Sequence, residues 1–217
     1  YSINEFCNEL DGEGSGTEEL KNNFEKYGSD KASKHNYYLI YGPLLSDRGA
    51  IKAVLEIGMG TNNTTIASNM GKDGKPGASL RAFRDYLPQA MIYGADIDRD
   101  ILFEEDRIKT FFVDQTNTGT LEKLSQKLPD QIDLIIDDGL HSPNANIATL
   151  TFALPKLKSN GGWFILEDIP AIALPIWKVV ETILPKNQYK SYLVNTMDSW
   201  VFACQKISDT VEQEPTT

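Results

Sequence analysis

The segment Val54-Leu55-Glu56-Ile57-Gly58-Met59-Gly60 is a short apolar run that contains one acid and is followed by a Gly-x-Gly turn. Nearly continuous apolar runs are typical of parallel strands that are buried on both faces. Glycines directly after such a strand permit positive φ and let a ligand approach the backbone closely. The segment therefore predicts a buried strand followed by a binding turn, although a tight strand-to-helix turn without a ligand would also explain both glycines.

Short apolar runs alternate with helical stretches on both sides of this segment. This alternation predicts an α/β fold: a doubly wound, Rossmann-like sheet of seven strands, of which one C-terminal strand is antiparallel. The predicted strands are 51–57, 90–96, 110–113, 132–137, 162–167, 190–194 and 200–205. The predicted helices are 17–26, 35–45, 79–87, 120–128 and 144–157. Only residues 195–199 separate the last two runs, and this spacing predicts a hairpin.

The composition limits the classes of partner. The chain has 217 residues, of which 41% are hydrophobic and 24% charged, and its formal net charge is −10. A packed core is therefore expected, and nucleic acid is an unfavourable partner because phosphate backbones are bound by basic faces. No apolar run reaches the roughly 20 residues that span a bilayer, and we expect no signal peptide because no charged and apolar leader pattern is seen. With only Cys7 and Cys204, we expect a cytoplasmic protein without a disulfide scaffold, zinc site or membrane contact.

Polar side chains stand at the ends of the second and third predicted strands. Asp96 follows the second strand, where a carboxylate can accept hydrogen bonds from ribose hydroxyls. Asn63 stands where a dinucleotide-binding turn would have its third glycine, which favours another adenosine-containing ligand over NAD. Asp114 and Gln115 follow the third strand and could bond an adenine edge; a helix cap or turn is the alternative.

The run Asp133-Leu134-Ile135-Ile136-Asp137-Asp138-Gly139-Leu140-His141 is the most informative for chemistry. It places two acids at the end of an apolar strand, with a histidine three residues after the second acid. Ligands of open α/β sheets bind at the carboxyl ends of the strands. A histidine, with an ordinary pKa of about 6.5, is suited to accept a proton. His141 is therefore a candidate general base; in the alternative, Asp138 caps a helix and His141 is a surface loop residue.

A second pair of acids, Glu167 and Asp168, ends the apolar run that begins at Gly161. Neighbouring parallel strands lie about 4.8 Å apart, so these acids and Asp138 would converge if their strands are adjacent. Converging carboxylates repel one another unless a cation intervenes. The pattern predicts a site for a hard cation such as Mg²⁺, with solvated acids around a polar crevice as the alternative.

With these motifs in order, residues 28–205 resemble the class I S-adenosylmethionine (SAM)-dependent methyltransferases. The resemblance implies that SAM is the cofactor. It places Glu56, Gly58 and Gly60 around the methionine part of SAM and Asp96 at the ribose. Further residues are implied to contact the cofactor: Ser79, Ile97, Asp114, Gln115 and Asp137. The alternative for Ser79 is simple helix capping.

A narrower resemblance is to the macrolide-sugar and polyketide O-methyltransferases of the mycinamicin type. The motifs that carry it are Tyr27-Gly28-Ser29-Asp30-Lys31 with His35 and Tyr41, Gly77-Ala78-Ser79-Leu80-Arg81, Asp137-Asp138-Gly139-Leu140-His141 and Ile165-Leu166-Glu167-Asp168. This resemblance implies that Asp138, Glu167 and Asp168 hold Mg²⁺ and that Asp138 and His141 are catalytic. Two features depart from the family: the polar stretch 61–76 is longer than usual and is expected to form a flap, and Leu140 replaces a serine or threonine.

The acceptor side is less clearly marked. Residues 169–185 are apolar and punctuated by prolines, which favours a wall of the acceptor pocket with Ile172 and Trp177 as contacts; an ordinary core helix is the alternative. Lys31 and His35 are expected to close over SAM, and His35 is a further candidate on the substrate side. His35 could instead be a second base, but a position on a helix surface is the favoured explanation for it.

Taken with the resemblance, the chain is expected to divide into three parts. Residues 1–46 would form an N-terminal helical cap, 47–207 the SAM-binding methyltransferase domain and 208–217 a polar tail. Residues 10–16 would form a loop. Ser15 near its end, or Thr17 just after it, would cap the first helix. The short N-terminal region favours a compact enzyme or a domain embedded in a polyketide synthase.

We therefore expect a SAM-dependent O-methyltransferase of secondary metabolism that uses Mg²⁺ and modifies a hydroxyl of a polyketide or macrolide sugar. The acceptor would be a small molecule or a group bound to a carrier protein. The alternatives are a cephalosporin-hydroxylase-like enzyme, a SAM-binding domain without activity, and a nucleotide-sugar or NAD enzyme.

Overall fold

A mixed β-sheet forms the centre of the computed structural model, which describes residues 1–10 and 16–209. Within these ranges the sheet has eight strands in the order β3-β4-β2-β1-β5-β6-β8-β7. The strands are β1 Ala53–Ile57, β2 Met91–Asp96, β3 Glu104–Glu105, β4 Ile108–Phe112, β5 Leu134–Asp137, β6 Trp163–Ile169, β7 Tyr189–Asn195 and β8 Trp200–Lys206. The prediction of an α/β sheet with a C-terminal hairpin is confirmed.

The predicted count of seven strands with a single antiparallel strand is wrong. Strand β3 pairs antiparallel with β4, and β8 runs antiparallel to both β6 and β7. β3 was not predicted because it consists of two exposed glutamates, Glu104 and Glu105, and contains no apolar residue. Sequence patterns reveal a strand through the apolar residues that it buries, and an exposed edge strand of two residues buries no apolar side chain.

Strands β1, β5 and β6 lie side by side and run in the same direction. Ile57 at the end of β1 pairs with Asp137 at the end of β5, and Asp137 pairs with Leu166 on β6. The residues that directly follow β1 and β5 therefore leave the sheet at the same edge as the acids near the end of β6. This adjacency meets the condition under which Asp138, Glu167 and Asp168 were predicted to converge.

Helices cover both faces of the sheet. They are α1 Ile3–Glu9, α2 Thr17–Tyr27, α3 Asp30–Ser33, α4 Tyr38–Leu44, α5 Ala78–Tyr86, α6 Thr118–Ser125, α7 Pro143–Lys156 and α8 Leu174–Ile183. Alternate residues of the strands face opposite layers: Val54 packs in the cluster that includes α1 to α5, and Leu55 packs in the cluster that includes α6 to α8. None of the described helices combines the length and the apolar character that crossing a bilayer requires.

The N-terminal helices differ most from prediction. The helix predicted over 35–45 begins only at Tyr38, because Asn36 has a φ of 56° and separates α4 from α3. Asparagine tolerates this left-handed conformation better than most residues. Gly16 is the N-cap of α2, so Thr17 is its first helical residue. Ser15, most of the predicted loop 10–16 and most of the predicted tail 208–217 lie outside the described residues.

Candidate active site

The turn after β1 lies against the neighbouring strand ends through its backbone. Gly58 and Gly60 have φ values of 92° and 78°, which favour glycine. A Cβ atom on Gly58 would overlap the backbone of Asp138, so a side chain here would separate the turn from the loop after β5. The Met59 N–H donates to Asp96 Oδ2 over 2.7 Å. The glycines therefore allow the ends of β1, β2 and β5 to meet.

A cavity of about 180 Å³ opens beside this turn. It is bounded by the loops that follow β1, β2, β4 and β5, as expected for a ligand site at the carboxyl edge of an open sheet. Six of the predicted cofactor residues line it: Gly58, Gly60, Asp96, Ile97, Asp114 and Gln115. The predicted flap 61–76 supplies one wall, and Ser68 Oγ in it donates to the Leu140 carbonyl over 3.0 Å.

Asp96 and Asp114 both combine a local structural role with a position on the cavity. Asp96 Oδ1 accepts from the Asp98 N–H over 2.9 Å, in addition to the bond from Met59. Burial raises the pKa of Asp96, and these backbone donors oppose the rise. Asp114 Oδ1 accepts from the N–H of Thr116 over 2.9 Å. The turn considered as the alternative for Asp114 is therefore present, and the residue still borders the cavity.

Three predicted cofactor residues are not among those that line the cavity. Glu56 is fully buried; its Oε2 accepts from Ser79 Oγ, and its Oε1 lies 3.1 Å from Lys31 Nζ. Burial raises the pKa of Glu56, and Lys31 opposes this rise. Asp137 is also fully buried, with bonds from Gln115 and Asn146 to its two oxygens. The structure places Glu56, Ser79 and Asp137 behind the cavity wall.

The acids predicted to converge do so, together with a cation from the N-terminal region. Lys31 is 2% exposed, and its Nζ donates to Asp138 Oδ2 over 2.7 Å and to Glu167 Oε2. Tyr41 donates to the other oxygen of Glu167. The carboxylates raise the pKa of Lys31 against the effect of its burial. Lys31 therefore neutralises part of the negative charge for which the sequence predicts a metal ion.

Asp168 is also held by hydrogen bonds from neighbouring side chains. Its Oδ1 accepts from the hydroxyls of Tyr37 and Ser199, the latter over 3.2 Å. Burial alone would raise the pKa of Asp168, but the hydrogen bond from Tyr37 and the nearby His35 and His141 lower it below its ordinary value. Asp168 is therefore kept ionised, and its second oxygen is left for another partner.

His141 faces the two oxygens that these contacts leave. Its Nε2 lies 3.7 Å from Asp138 Oδ1 and 4.0 Å from Asp168 Oδ2. Ligand atoms of Asp138, His141 and Asp168 all lie within 4.8 Å of one another. Oxygen donors from two carboxylates with one imidazole fit a divalent cation. Within the described residues, His141 Nδ1 is buried without a hydrogen-bond partner.

Glu167 is placed differently from its predicted role as a third metal ligand. Its side chain is 1% exposed, and both oxygens are engaged by Lys31 and Tyr41. Burial raises the pKa of Glu167 well above its ordinary value, and Lys31 opposes the rise. In this structure Asp138 and Asp168 are the carboxylates with a free oxygen on the His141 side.

The predicted acceptor residues separate into two groups. His35 lies beside the site: its ring stacks on Tyr37 at 5.1 Å, and its Nδ1 is 3.8 Å from Asp168 Oδ1. Ile172, just after β6, is 90% exposed and available to a ligand. Trp177 is 1% exposed and packs on Phe202, so the structure places it in the core and not on a surface open to an acceptor. It lies on the buried face of α8, as the core-helix alternative requires.

Two residues of the site were not predicted as site residues, namely Tyr37 and Ser199. Tyr37 precedes a short helix and Ser199 lies in the turn between β7 and β8, more than 160 residues away, yet their hydroxyls are 3.1 Å apart. Neither residue stands in a motif or at the end of a parallel strand. The available signal was weak: Tyr37 lies between His35 and Tyr41, which the family resemblance had already marked.

The sequence of the chain is similar to those of known O-methyltransferases. No family model matches the chain. It is 29% identical over 154 residues to a rhamnosyl tetracenomycin-C 2'-O-methyltransferase from Streptomyces olivaceus, covering 70% of this chain and 38% of the relative. It is 36% identical over 93 residues to demethylmacrocin O-methyltransferase from Streptomyces fradiae, covering 43% and 23% of the two chains. The chain thus spans less than two fifths of these curated relatives.

Solved structures show the same fold. The MycE methyltransferase of mycinamycin biosynthesis, in complex with Mg and S-adenosylhomocysteine (SAH), superposes with a TM-score of 0.69 at 22% identity, over 91% of this chain and 57% of that one. A second match, to an O-methyltransferase described as putative from Klebsiella pneumoniae, has a TM-score of 0.56 at 16% identity and covers 94% and 95% of the two chains. The chain therefore has an α/β methyltransferase fold and is a relative, in sequence, of O-methyltransferases that act on polyketide and macrolide sugars.

Proposed function

We propose that this chain is a SAM-dependent O-methyltransferase that methylates a hydroxyl group of a natural product, such as a sugar on a polyketide or macrolide. One observation carries the proposal. Asp138 Oδ1, Asp168 Oδ2 and His141 Nε2 face one another, and Asp138 also lines the cavity at the carboxyl edge of the sheet. The relatives named above support the reaction class, and the acceptors in their names, a rhamnosyl tetracenomycin-C and demethylmacrocin, support a natural-product acceptor.

The cavity is the proposed site of SAM. Gly58 and Gly60 would let the methionine part approach the backbone, and Asp96 would accept hydrogen bonds from the ribose. Ile97, which is 47% exposed, would pack against the adenine, and Asp114 would border it. Glu56, Ser79 and Asp137 would act on the cofactor through the charge and shape of the cavity wall, because they are buried behind it.

A divalent cation fits beside the cavity. Asp138 and Asp168 would hold it with their free oxygens, and Glu167 would join them only by exchanging its contact with Lys31. The argument for this cation rests on the donor set, since Asp138 Oδ1 and Asp168 Oδ2 converge. His141 Nε2 beside them would stay unbound to the cation and free to accept a proton. When bound, Mg²⁺ would lower the pKa of a coordinated acceptor hydroxyl and orient it.

His141 is the proposed general base. In the transfer step, the acceptor oxygen forms a bond to the methyl carbon while the bond between that carbon and the sulfonium sulfur breaks. The hydroxyl proton moves to His141 Nε2, which faces Asp138 and Asp168 and would be stabilised by them when protonated. Proton transfer by a positioned side chain typically contributes about 10²- to 10⁴-fold in rate. His35 and Ile172 are placed to contact the acceptor.

The test combines binding with product analysis. Calorimetry is expected to show SAH binding, and incubation with SAM, Mg²⁺ and a panel of rhamnosylated polyketides, macrolide sugars and phenols is expected to give a product heavier by one methylene group. Presenting the same acceptors on a carrier protein would test whether the chain serves as a polyketide synthase domain. EDTA is expected to abolish transfer and added Mg²⁺ to restore it.

Other outcomes would contradict parts of the proposal. A product heavier by one oxygen atom would favour the hydroxylase-like alternative, and SAH binding without transfer to any acceptor would favour a non-catalytic SAM-binding domain. NAD binding without SAH binding would exclude a methyltransferase. Full activity after exhaustive chelation would remove the cation while leaving the methyl transfer standing.

A further inference from the structure

We propose that Gln115 is a positioning residue that fixes the loop carrying Asp138 and His141, and that it does not read the adenine edge. The inference rests on the proposed function, because it concerns the placement of the proposed base. Gln115 lies two residues after the third predicted strand and lines the cavity, which is why the sequence predicts an adenine contact. The hydrogen bonds of the Gln115 side chain argue against an adenine contact.

Each polar atom of the Gln115 amide is engaged inside the protein. Its Nε2 donates to Asp137 Oδ1 over 2.7 Å and to Thr149 Oγ1 over 2.8 Å. Its Oε1 accepts from the Leu140 N–H over 2.8 Å. An amide nitrogen has two hydrogens to donate, so both are used, and the side chain is buried, with the residue only 7% exposed. A base edge would have to compete with these internal partners.

The loop that Gln115 holds has an unfavourable backbone conformation. His141 has a φ of 54°, which is uncommon for a residue other than glycine. Such conformations cost free energy and persist only where the surrounding structure enforces them. The Leu140 N–H that donates to Gln115 belongs to the residue immediately before His141. This hydrogen bond is therefore well placed to keep the His141 ring directed at Asp138 and Asp168.

Gly139 provides an independent indication that the loop and Gln115 are matched in shape. A Cβ atom at position 139 would overlap the Oε1 atom of Gln115. Any side chain there would displace the amide from the Leu140 N–H. Gln115 also spans the sheet edge, since β4 is separated from β5 by β2 and β1. Through Gln115 the adenine end of the cavity is connected to the loop of the proposed base.

Two variants separate the two roles. Gln115→Met keeps the length of the side chain and removes every hydrogen bond of the amide. Thr149→Val is the matched control, because it removes one partner of the Gln115 Nε2 and leaves the bond to Leu140. The readouts are SAH affinity by calorimetry and the histidine ring signals in ¹H–¹³C NMR, which a His35→Gln variant assigns because the chain has two histidines.

For a positioning residue, Gln115→Met is expected to shift the His141 ring signals while SAH affinity changes by less than about threefold. Thr149→Val is expected to leave the His141 signals in place. An adenine contact predicts the opposite pattern: SAH affinity would fall about tenfold, the usual effect of losing one hydrogen bond, with unchanged His141 signals. That result, or an equal His141 shift in both variants, would overturn the inference.

A measurement on the wild-type protein keeps the test valid if Gln115→Met does not fold. The Leu140 amide is expected to exchange its hydrogen slowly, in contrast to an exposed loop amide, because it is bonded to the buried Gln115 Oε1. Exchange at the rate of an unprotected amide would refute the contact. Absence of SAH binding to the wild type would contradict the proposed function instead, since neither the His141 signals nor the exchange rate depends on SAH.

Discussion

His141 and Asp168 share a backbone feature that few residues other than glycine adopt. Both have a φ of 54°. Asp168 supplies one of the oxygen atoms of the proposed cation site, and His141 lies beside these oxygen atoms. The left-handed conformation costs free energy, and strained residues cluster at functional sites. The strain is offset here by contacts of neighbouring side chains, namely Gln115 on one loop and Tyr37 with Ser199 on the other.

Replacing His141 tests the assignment of the base. We expect His141→Ala to lower the turnover number about 10²- to 10⁴-fold while SAH affinity stays within about twofold, because only proton transfer is lost. His35→Ala is the control, because His35 lies near Oδ1 of Asp168 whereas His141 lies near Oδ2. The loss of turnover in His35→Ala is expected to be smaller. Steady-state transfer rates and calorimetry give both values. Unchanged turnover in His141→Ala would remove His141 from the mechanism.

Lys31 is expected to contribute more to stability than any surface lysine. Lys31→Met would leave Glu56, Asp138 and Glu167 without their shared cation, and breaking a buried pair typically costs about 3–5 kcal/mol. Lys34→Met is the matched control, because Lys34 lies one helical turn away and is exposed. Urea unfolding at neutral pH measures the free energy of unfolding of both variants. Equal stabilities would show that Lys31 does not compensate these acids.

At the scale of elements, α2 and α5 are joined by a polar contact at the surface. Asp85 on α5 accepts from Lys26 Nζ over 2.8 Å and from the Tyr27 hydroxyl over 2.7 Å, both at the end of α2. Arg84 also donates to Asp85. Burial alone would raise the pKa of Asp85, but the hydrogen bonds from Lys26, Tyr27 and Arg84 together lower it from 3.8 to about 2.

This shift predicts how the contact depends on pH. A carboxyl whose pKa is lower in the folded state stabilises the protein above its unfolded pKa, and the contribution is lost as the pH falls through the folded value. Asp85→Asn is therefore expected to be less stable than the wild type at pH values above about 5. The difference should shrink between pH 3.8 and about 2. Urea midpoints across this range measure it; a constant difference would contradict the assignment.

The N-terminal region provides side chains to both the core and the site. Phe6, Leu20 and Phe24 pack in the same cluster as residues of the central strands. Lys31 and Tyr41 contact the acids at the strand ends. The division into a cap of residues 1–46 and a domain of 47–207 stays a prediction, but these contacts indicate that the second part depends on the first.

Removing the N-terminal region tests this dependence. We expect a chain of residues 47–209 to lose cooperative unfolding, because truncation exposes the apolar face of the sheet that α1, α2 and α4 cover and leaves buried acids without partners. The intact chain measured in parallel by calorimetry and near-ultraviolet circular dichroism is the control. A cooperative transition in the shortened chain would show that residues 1–46 form a separable cap.

The sequence by itself determined the strands and the acids at their ends. Burial on both faces produces continuous apolar runs, and the parallel arrangement places Asp96, Asp138 and Glu167 at one edge. The N-terminal boundaries and the two-residue strand β3 were not predictable, because a left-handed Asn36 and an exposed pair of glutamates leave no periodic pattern.

Only the tertiary structure decided which partner each polar side chain has. Lys31 lies 107 residues from Asp138 and 136 from Glu167 along the chain, yet donates to both. Gln115 lies 25 residues before Leu140 along the chain, yet its side chain accepts a hydrogen bond from the Leu140 N–H. Local patterns record whether a residue is buried, since burial selects apolar side chains. They do not record the direction of a hydrogen bond between distant segments, because that direction is set by how the layers pack.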